Sequence, residues 1–307
     1  GFVMSDWQGI DEIPGNYKTD IITSINAGID MVMVSGQGQP YKKFMRLLKE
    51  SVEEGSIPLA RIDDAVTRIL KVKLRNGLFE NPIVKNDALQ VIGSDSHRDI
   101  ARQAVRESMV VLKNQDIIPI SKNSKSIVVA GRGADNLGMQ CGGWTINWQG
   151  GQGDITVGTT ILDGIKKSVS ADTNVIYSMD GKDLAMAEDE LAVVVIGEDP
   201  YTEFFGDKDN LDLLNDDIET INTLKNKGYK VMVLLISGRP MNIADHINSW
   251  DGFAAVWLPG TEGDGISDIL FGDFQSSGKL SYPWPIKAEY GANAEDKDLL
   301  FNFGFGL

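Results

Sequence analysis

The chain has 307 residues, of which 42% are hydrophobic and 24% charged, and its formal net charge is −15. These proportions are those of a globular protein with room for one large domain or two ordinary ones. The negative charge argues against nucleic acid and anionic membranes as partners, because phosphates would be repelled and no basic patch compensates. No apolar run approaches the ~20 residues that span a bilayer, so the sequence predicts no membrane segment.

The sequence offers few residues for metal or redox chemistry. Cys141 is the only cysteine and stands beside glycines, so we interpret it as a packed small residue rather than a nucleophile. The two histidines, His97 and His246, are far apart and have no cysteine near them, which argues against a zinc site. We therefore expect neither a metal nor a cofactor.

An acid and an indole follow the first apolar segment. Residues 2–4, Phe-Val-Met, are typical of a buried parallel strand, and the run ends in Ser5, Asp6 and Trp7. Side chains just past the carboxyl end of such a strand face the ligand cleft of parallel α/β proteins. A carboxylate beside an indole suits sugar chemistry, since the carboxylate can attack an anomeric centre and the ring can stack on a sugar. From these residues alone, a capping role for Asp6 and a core position for Trp7 stay open.

The residues up to about 96 alternate between helical and strand patterns. Helices are predicted over residues 17–27, 40–54 and 58–77, and residues 31–34 form a second buried apolar run. Residues 78–96 contain a proline and few periodic apolar positions, so they are predicted to connect two domains.

The remaining residues, 97–307, continue the alternation. An amphipathic helix is predicted from His97 to Lys113. Strands are predicted over residues 126–131, 174–179, 191–197, 230–237 and 253–259, with helical stretches such as 216–227 between most of them. The alternation predicts an open, mainly parallel sheet between layers of helices. The aromatic tail, residues 300–307, is expected to be packed, because three exposed phenylalanines would be costly.

Five motifs follow one another along the whole chain. They are residues 1–7 (Gly-Phe-Val-Met-Ser-Asp-Trp), 27–33 (Ala-Gly-Ile-Asp-Met-Val-Met), 131–148 (ending in Gly-Gly-Trp-Thr-Ile-Asn-Trp), 197–203 (Gly-Glu-Asp-Pro-Tyr-Thr-Glu) and 257–263 (Trp-Leu-Pro-Gly-Thr-Glu-Gly). In this order they resemble glycoside hydrolase family 3, most closely its β-glucan exohydrolase and β-glucosidase branch.

The resemblance implies an α/β fold in two parts. Residues 1–77 would be the last units of a (β/α)8 barrel carrying the nucleophile, and residues 97–307 a mainly parallel α/β sandwich domain carrying the acid/base loop. Only two barrel strands are present, whereas a complete barrel takes about 250 residues. We therefore expect Gly1 to be a cut end, and the chain to need the N-terminal remainder of the barrel, supplied as preceding polypeptide or as a separate chain, to be a complete enzyme.

Glycoside hydrolysis needs one carboxyl to attack the anomeric carbon and another to protonate the leaving oxygen. By the resemblance, Asp6 is the nucleophile and the acid/base lies in residues 197–204. We place it on Glu203, with Glu198 as the alternative and Asp199 third. A carboxylate that directly follows a strand, as Glu198 does, is more often orienting or structural, whereas Glu203 lies far enough along the loop to cross a cleft. A retaining reaction would place the two carboxyls about 5–5.5 Å apart.

The same resemblance suggests sugar-binding residues. Trp7 and Trp148 would clamp the leaving-group sugar with Trp144 in support, and Met33 would line the pocket of the catalytic sugar. The alternative for the two tryptophans of the glycine-rich loop, residues 142–153, is that they fold onto the core. Stacking tolerates different linkages, so the clamp predicts broad specificity.

These inferences predict a retaining, exo-acting β-glycosidase that releases glucose from β-linked glucans or oligosaccharides by double displacement. One alternative is a carbohydrate-binding fragment or pseudoenzyme that lacks most of the barrel. A second is a β-N-acetylglucosaminidase or β-xylosidase of the same family. The expected partners are the β-linked glucose substrate and the rest of the barrel, with no nucleic acid and no membrane. The family suggests a periplasmic or secreted location, although the sequence itself shows no signal for one.

Overall fold

The computed structural model describes residues 1–36, 38–83, 86–187, 190–288 and 298–307. The chain divides into two compact units, Gly1–Gln90 and Val91–Leu307. A 3₁₀ helix spans Asn86–Val91 at this boundary. The predicted connecting segment, residues 78–96, includes residues 84 and 85, which lie outside the described residues.

The helices of the first unit lie close to their predicted positions. Helix α1 spans Tyr17–Asn26, α2 spans Pro40–Glu53 and α3 spans Leu59–Arg75. The side chain of Asn16 caps α1 by accepting two backbone N–H groups of the first turn. Buried isoleucines and a leucine hold the unit together, and they are Ile10, Ile21, Ile25, Leu47 and Ile57.

The two predicted strands of the first unit amount to one parallel bridge, between Met4 and Met31. Val3 and Met4 are 51% and 46% exposed, so the prediction of a buried strand over residues 2–4 is wrong for the described chain. Within the described residues each segment has only the other as a β partner. One edge of each therefore stays uncovered, and its side chains are not enclosed.

The second unit is organised around a six-stranded sheet of order β1-β6-β5-β4-β2-β3. The strands are β1 (Val110–Asn114), β2 (Ser126–Ala130), β3 (Asn174–Ser178), β4 (Leu191–Gly197), β5 (Lys230–Ile236) and β6 (Gly252–Trp257). In this sheet β1 is antiparallel to β6, and the other neighbouring strands are parallel. The prediction of a mixed α/β fold with a mainly parallel sheet is confirmed.

Helices cover both faces of this sheet. One face packs against α4 (Asp95–Ser108), α6 (Ile161–Ser168) and α8 (Gly263–Leu270), and the other against α7 (Asn215–Asn226). The short helix α5 (Leu137–Cys141) follows β2. Both faces are therefore apolar, which is why the strands are continuous hydrophobic runs rather than alternating ones.

Strand β4 shows how the sheet separates its two cores. Val193 and Val195 belong to the core under α4, α6 and α8, whereas Val194 and Ile196 belong to the core under α7. All four side chains are fully buried. The carboxyl end of β4 is thus held rigidly, and the loop that follows it begins from a fixed point.

The predicted helix from His97 to Lys113 is wrong at its carboxyl end. Helix α4 stops at Ser108, and the following residues form the edge strand β1, which pairs with β6. Residues 109–112, Met-Val-Val-Leu, are almost completely buried. A continuous apolar run with β-branched residues favours a strand covered on both faces, and the pairing with β6 decides between the two structures.

A two-stranded antiparallel pair follows near the carboxyl end, made of β7 (Trp284–Pro285) and β8 (Leu299–Phe301). Phe301 and Phe305 stack with their ring centroids 5.0 Å apart, but Phe303 is 72% exposed. Phe305 is itself 36% exposed, so the prediction of a packed aromatic tail holds for Phe301, which packs against the core, and not for Phe303 or Phe305. Among the described helices, none combines the length and apolar character that crossing a membrane would require.

Candidate active site

Asp6 lies in a tight turn directly after the bridge between Met4 and Met31. The Ser5 N–H donates to the Met31 carbonyl oxygen at 2.9 Å, and Ser5 Oγ accepts from the Met33 N–H at 2.9 Å. The same hydroxyl donates to the Asp6 carbonyl oxygen at 3.0 Å. Because the buried Ser5 is bonded to both segments, it fixes the backbone of Asp6 where the two segments end.

The Asp6 side chain is exposed, and one of its oxygens is oriented. Its Oδ1 accepts from the Trp7 N–H at 2.7 Å, while Oδ2 has no hydrogen bond to any described residue. The Gln8 N–H donates to the Met33 carbonyl oxygen at 3.4 Å, which brings Met33 to the same turn. Trp7 is 62% exposed. The turn therefore combines a carboxylate able to attack an electrophile with an indole able to stack on a sugar.

A buried ion pair ties the two segments together behind this turn. Asp30 has a 1% exposed side chain, pairs with Arg61 of α3 and accepts from the Val3 N–H at 2.8 Å. Burial acts to raise the pKa of Asp30, but the Val3 N–H and the Arg61 guanidinium together hold it below its ordinary value. Asp30 is thus a charged structural support for the Asp6 turn, a role that was not predicted from the sequence.

Glu198 is the first of the three acids in the loop after β4, and it is buried. Its Oε1 accepts from Arg239 Nη2 at 2.7 Å and from Arg239 Nε at 3.1 Å. The Tyr201 hydroxyl donates to Oε2 at 3.2 Å. Both carboxylate oxygens are thus occupied by charge-assisted bonds, which leaves Glu198 no free oxygen to present to a ligand.

Asp199, the second acid, is bonded to a different arginine, Arg132, and to Gln152. Arg132, which follows β2, contacts the Asp199 carboxylate and the Gly197 carbonyl oxygen, and it lies 3.3 Å from the carboxylate of Asp217. Gln152 Nε2 donates to Asp199 Oδ1 at 2.8 Å. Burial acts to raise the pKa of Asp199, but the Arg132 and Gln152 contacts hold it below its ordinary value. Asp199 therefore stays charged and bonded.

Glu203, the third acid, is exposed, and its side chain makes no hydrogen bond or ion pair with any described residue. Its φ angle is 49°, in the left-handed region that non-glycine residues rarely adopt, and it opens the 3₁₀ helix Glu203–Gly206. Strained backbone of this kind is concentrated at functional sites. Among the loop's three acids, Glu203 is the one whose carboxyl group has no partner within the described residues.

Four exposed aromatic side chains accompany Glu203 and form what we call the aromatic cluster: Trp144, Trp148, Phe204 and Phe205. The ring centroid of Trp148 lies 6.4 Å from that of Trp144, 6.0 Å from Phe204 and 5.6 Å from Phe205. Exposure ranges from 41% for Trp148 to 69% for Trp144. The two tryptophans therefore do not fold onto the core, and they offer a surface on which sugar rings can stack.

The tryptophan loop, residues 142–153, and the acid loop, residues 197–206, are joined. Gln149 Nε2 donates to Thr202 Oγ1 at 2.6 Å, and the Thr202 N–H donates to Gln149 Oε1 at 3.2 Å. A Cβ atom on Gly143 would overlap the carbonyl oxygen of Tyr201, so only glycine permits this approach. The aromatic cluster and Glu203 thus belong to one continuous surface of the second unit.

The two arginines of this site, Arg132 and Arg239, were not predicted from the sequence. Each lies just past the end of a buried parallel strand, Arg132 after β2 and Arg239 after β5, and a charged residue in that position is the signal that could have indicated them. Strands β2 and β5 flank β4 in the sheet. The arginines therefore reach the acid loop from opposite sides.

Asp217 pairs with Arg132 and should make the stability of the protein depend measurably on pH. Burial raises its pKa to about 6, although Arg132 and the Gly197 N–H favour the charged form. The native protein therefore binds this proton at a higher pH than the unfolded chain does, and the group lowers the free energy of unfolding as the pH rises from about 4 to about 6. Protonated Asp217 contributes about 3 kcal/mol to the free energy of unfolding below about pH 4, and this contribution is lost above about pH 6.

We expect Asp217→Asn to remove this part of the pH dependence. Urea denaturation of the wild type and the variant at about pH 4 and about pH 7 measures the difference between the two curves. Identical pH dependence in both proteins would contradict the assignment.

Within the residues that the structure describes, no three or more His, Cys, Asp or Glu side chains come together in a way that could hold a metal ion.

Two family descriptions match the chain. "Glycosyl hydrolase family 3 N terminal domain" matches residues 1–72, and "Glycosyl hydrolase family 3 C-terminal domain" matches residues 109–307. The second match alone covers more than half of the chain. The chain belongs to glycoside hydrolase family 3, and the resemblance seen in its motifs is confirmed.

Named relatives extend this result. The lysosomal beta glucosidase of Dictyostelium discoideum is 32% identical over an alignment of 346 residues, which takes in 100% of this chain and 41% of that protein. The beta-xylosidase of Formosa agariphila is 28% identical over 352 residues, 100% of this chain and 48% of that protein. The crystal structure of an exo-1,3/1,4-beta-glucanase from a Pseudoalteromonas species matches with a TM-score of 0.85 and 34% identity, covering 100% of this chain and 40% of that one. The chain thus spans somewhat less than half the length of these three proteins.

Proposed function

We propose that this chain provides the nucleophile and the acid/base of a retaining, exo-acting β-glycosidase that releases glucose from β-linked glucans or oligosaccharides. The observation that carries the proposal is the contrast within the acid loop. Glu198 and Asp199 are bonded to arginines, whereas Glu203 is exposed and makes no ion pair with any described residue. The names of the relatives, a beta glucosidase and an exo-1,3/1,4-beta-glucanase, support glucose as the released sugar.

In the first step, Asp6 forms a bond to the anomeric carbon as the glycosidic bond breaks. The Trp7 N–H holds Oδ1 of Asp6, so Oδ2 is the oxygen that attacks. Glu203 gives its proton to the departing oxygen, which leaves as a neutral alcohol. The products of this step are a glycosyl ester on Asp6 and a Glu203 carboxylate.

In the second step, the Glu203 carboxylate takes a proton from water, and the resulting nucleophile attacks the anomeric carbon. The ester bond to Asp6 breaks, and glucose leaves with its original β configuration. Two inversions at one carbon give overall retention. This chemistry needs no cofactor and no metal.

Aromatic side chains would hold the sugars during these steps. We assign Trp7 and Trp148 to the leaving-group sugar, with Trp144 in support, and Met33 to the pocket of the catalytic sugar. Both tryptophans that would contact the leaving group are exposed, Trp7 at 62% and Trp148 at 41%. Stacking on indole faces predicts tolerance of different β-linkages.

We further propose that residues 1–77 are the last units of a (β/α)8 barrel, connected by residues 78–96 to a sandwich domain, residues 97–307. The positions of the two family matches support this division. Helix α3 leaves Val66, Leu70 and Leu74 exposed at 47%, 42% and 57%. The N-terminal remainder of the barrel would cover this apolar face, since the relatives are more than twice as long as the matched region.

Hydrolysis by the full-length protein tests the proposal. We expect an aryl β-glucoside to be cleaved and nuclear magnetic resonance to show β-glucose as the first anomer released, because double displacement retains configuration. Release of α-glucose first would refute the retaining mechanism. Failure to hydrolyse any aryl β-glycoside would favour the carbohydrate-binding alternative.

The Formosa agariphila relative is named a beta-xylosidase, and this keeps xylose as a second candidate. Aryl β-xyloside and aryl β-N-acetylglucosaminide should be compared with the glucoside at equal enzyme concentration. We expect the largest kcat/KM for the glucoside. A larger value for either of the other substrates would move the assignment to that branch of the family.

A further inference from the structure

We propose that Arg239, together with Glu198 and Tyr201, positions Glu203 for proton transfer. The inference rests on the proposed acid/base role of Glu203. Arg239 acts through Glu198 and Tyr201, and it does not itself transfer the proton.

The three side chains form one bonded unit. Arg239 donates to Glu198 through both Nε and Nη2, and its guanidinium carbon lies 4.7 Å from the centre of the Tyr201 ring. The side chains of Glu198 and Arg239 are 4% and 17% exposed. A bidentate ion pair that is removed from water and stacked on a ring has few alternative arrangements, so it holds Tyr201 in one place.

The Tyr201 ring in turn supports the segment that presents Glu203. A Cβ atom on Gly206 would overlap this ring, so the 3₁₀ turn Glu203–Gly206 lies directly against it. A Cβ atom on Gly238 would lie 2.9 Å from the Tyr201 hydroxyl oxygen. The ring is thus enclosed between the turn and the segment that carries Arg239.

The start of the loop is fixed as well. The Glu198 N–H donates to the Ile236 carbonyl oxygen at 2.9 Å, and Thr202 is hydrogen-bonded to Gln149. The Glu203 side chain therefore has no partner among the described residues. The backbone of the turn that carries it packs against the Tyr201 ring.

The proton on Tyr201 is part of this arrangement. Burial raises the pKa of Tyr201 to about 12, and the negative charge of Glu198 acts in the same direction. The phenol therefore stays protonated in the working range of a glycosidase and donates to Glu198. If the charge of Arg239 is removed, Glu198 is left buried without its cation, which is a costly state that forces the side chains to rearrange.

A displaced Tyr201 would displace the turn that presents Glu203. Misplacing a reacting group by about 1 Å can lower a rate by about 10²-fold. The loss should fall on reactions that need the proton. An aryl leaving group that departs readily as an anion needs little protonation, whereas a sugar or alkyl leaving group needs the acid.

The test uses the full-length protein and two substrates, 2,4-dinitrophenyl β-glucoside and cellobiose. For Arg239→Met we expect kcat/KM for cellobiose to fall by about 10²-fold. For the dinitrophenyl substrate it should fall by no more than about threefold, because its leaving group departs without the acid. Arg239→Lys, which keeps the charge but not the fork of donors, should lie between the wild type and Arg239→Met.

Arg102→Met is the matched control. Arg102 is 36% exposed and pairs with the 4% exposed Asp268, its Nε donating at 2.7 Å, between α4 and α8. Loss of this pair should change both substrates by the same factor. Tyr201→Phe keeps the ring and removes only the hydrogen bond to Glu198, so a selective loss of about 10-fold for cellobiose is expected even if Arg239→Met folds poorly.

An equal loss for both substrates in Arg239→Met and Tyr201→Phe would overturn the inference and leave Arg239 with a structural role only. Unchanged kinetics in both variants would overturn it as well. Glu203→Gln serves as the reference. If that variant shows the substrate-dependent loss and the Arg239 and Tyr201 variants do not, the proposed function stands and the positioning role fails. If Glu203→Gln itself shows no such dependence, the acid/base assignment fails and the inference fails with it.

Discussion

Replacement of Asp6 by asparagine is expected to lower kcat/KM of the full-length protein for aryl β-glucosides by at least about 10³-fold. The amide has nearly the same shape and can still accept the Trp7 N–H, but it cannot form the ester on which double displacement depends. A general acid contributes about 10²–10⁴-fold, and loss of the nucleophile removes the covalent path altogether. Single-substrate kinetics measures the loss.

Asp11→Asn provides the control for this substitution. Asp11 is an exposed acid of the same turn, and its N–H donates to the Gln8 carbonyl oxygen at 2.8 Å. We expect kcat/KM of the Asp11→Asn variant to stay within about twofold of the wild-type value, because surface substitutions usually have small effects. Comparable rates for Asp6→Asn and the wild type would exclude Asp6 as the nucleophile. A slow substrate that traps the glycosyl ester should add the mass of one sugar to the peptide that contains Asp6.

Replacement of Glu203 by glutamine is expected to lower kcat/KM for cellobiose by about 10²–10⁴-fold, the range that general acid catalysis supplies. The loss with a dinitrophenyl leaving group should be much smaller. Azide should restore turnover of the dinitrophenyl substrate, since it attacks the glycosyl ester without needing a base, and the product should be β-glucosyl azide. The measurement is the rate with and without azide, together with identification of the product.

Asp207→Asn is the matched control for Glu203→Gln. Asp207 follows the 3₁₀ turn Glu203–Gly206 and is exposed, so its loss should leave both substrates and the azide response unchanged. Glu198→Gln distinguishes the two glutamates. Azide rescue of Glu198→Gln but not of Glu203→Gln would move the acid/base role to Glu198, against the burial of that side chain.

The strands of the second unit could be predicted because a parallel strand covered on both faces has an unbroken run of apolar residues. Residues 191–197 are the clearest case, and β4 occupies that range. The loop that follows a strand of this kind is a reasonable place to seek functional acids. Local pattern was therefore enough to place a loop with three acids after β4, whereas the acid/base role of that loop was predicted from the family resemblance.

Local pattern was not enough where distant residues decide the structure. Residues 109–112 could continue a helix by their spacing, but pairing with β6, more than 140 positions later, makes them a strand. The prediction that Glu198 is the more structural of the two glutamates used its position after the strand alone. Its actual partner, Arg239, lies 41 residues further along the chain, and no periodicity connects the two.

The first unit shows the opposite limit. The apolar character of Val3 and Met4 predicts burial, but within the described chain they have few neighbours to be buried against. The hydrophobicity of a side chain indicates how much its burial would stabilise the protein. It does not indicate whether the residues that bury it belong to the same stretch of polypeptide.

The reciprocal hydrogen bonds between Gln149 and Thr202 have a consequence for anyone who redesigns this protein. Recognition of the outgoing sugar and delivery of its proton are assigned to two loops that share one scaffold. A library that varies the tryptophan loop to change selectivity would therefore also perturb turnover, and its members should be screened for both traits together.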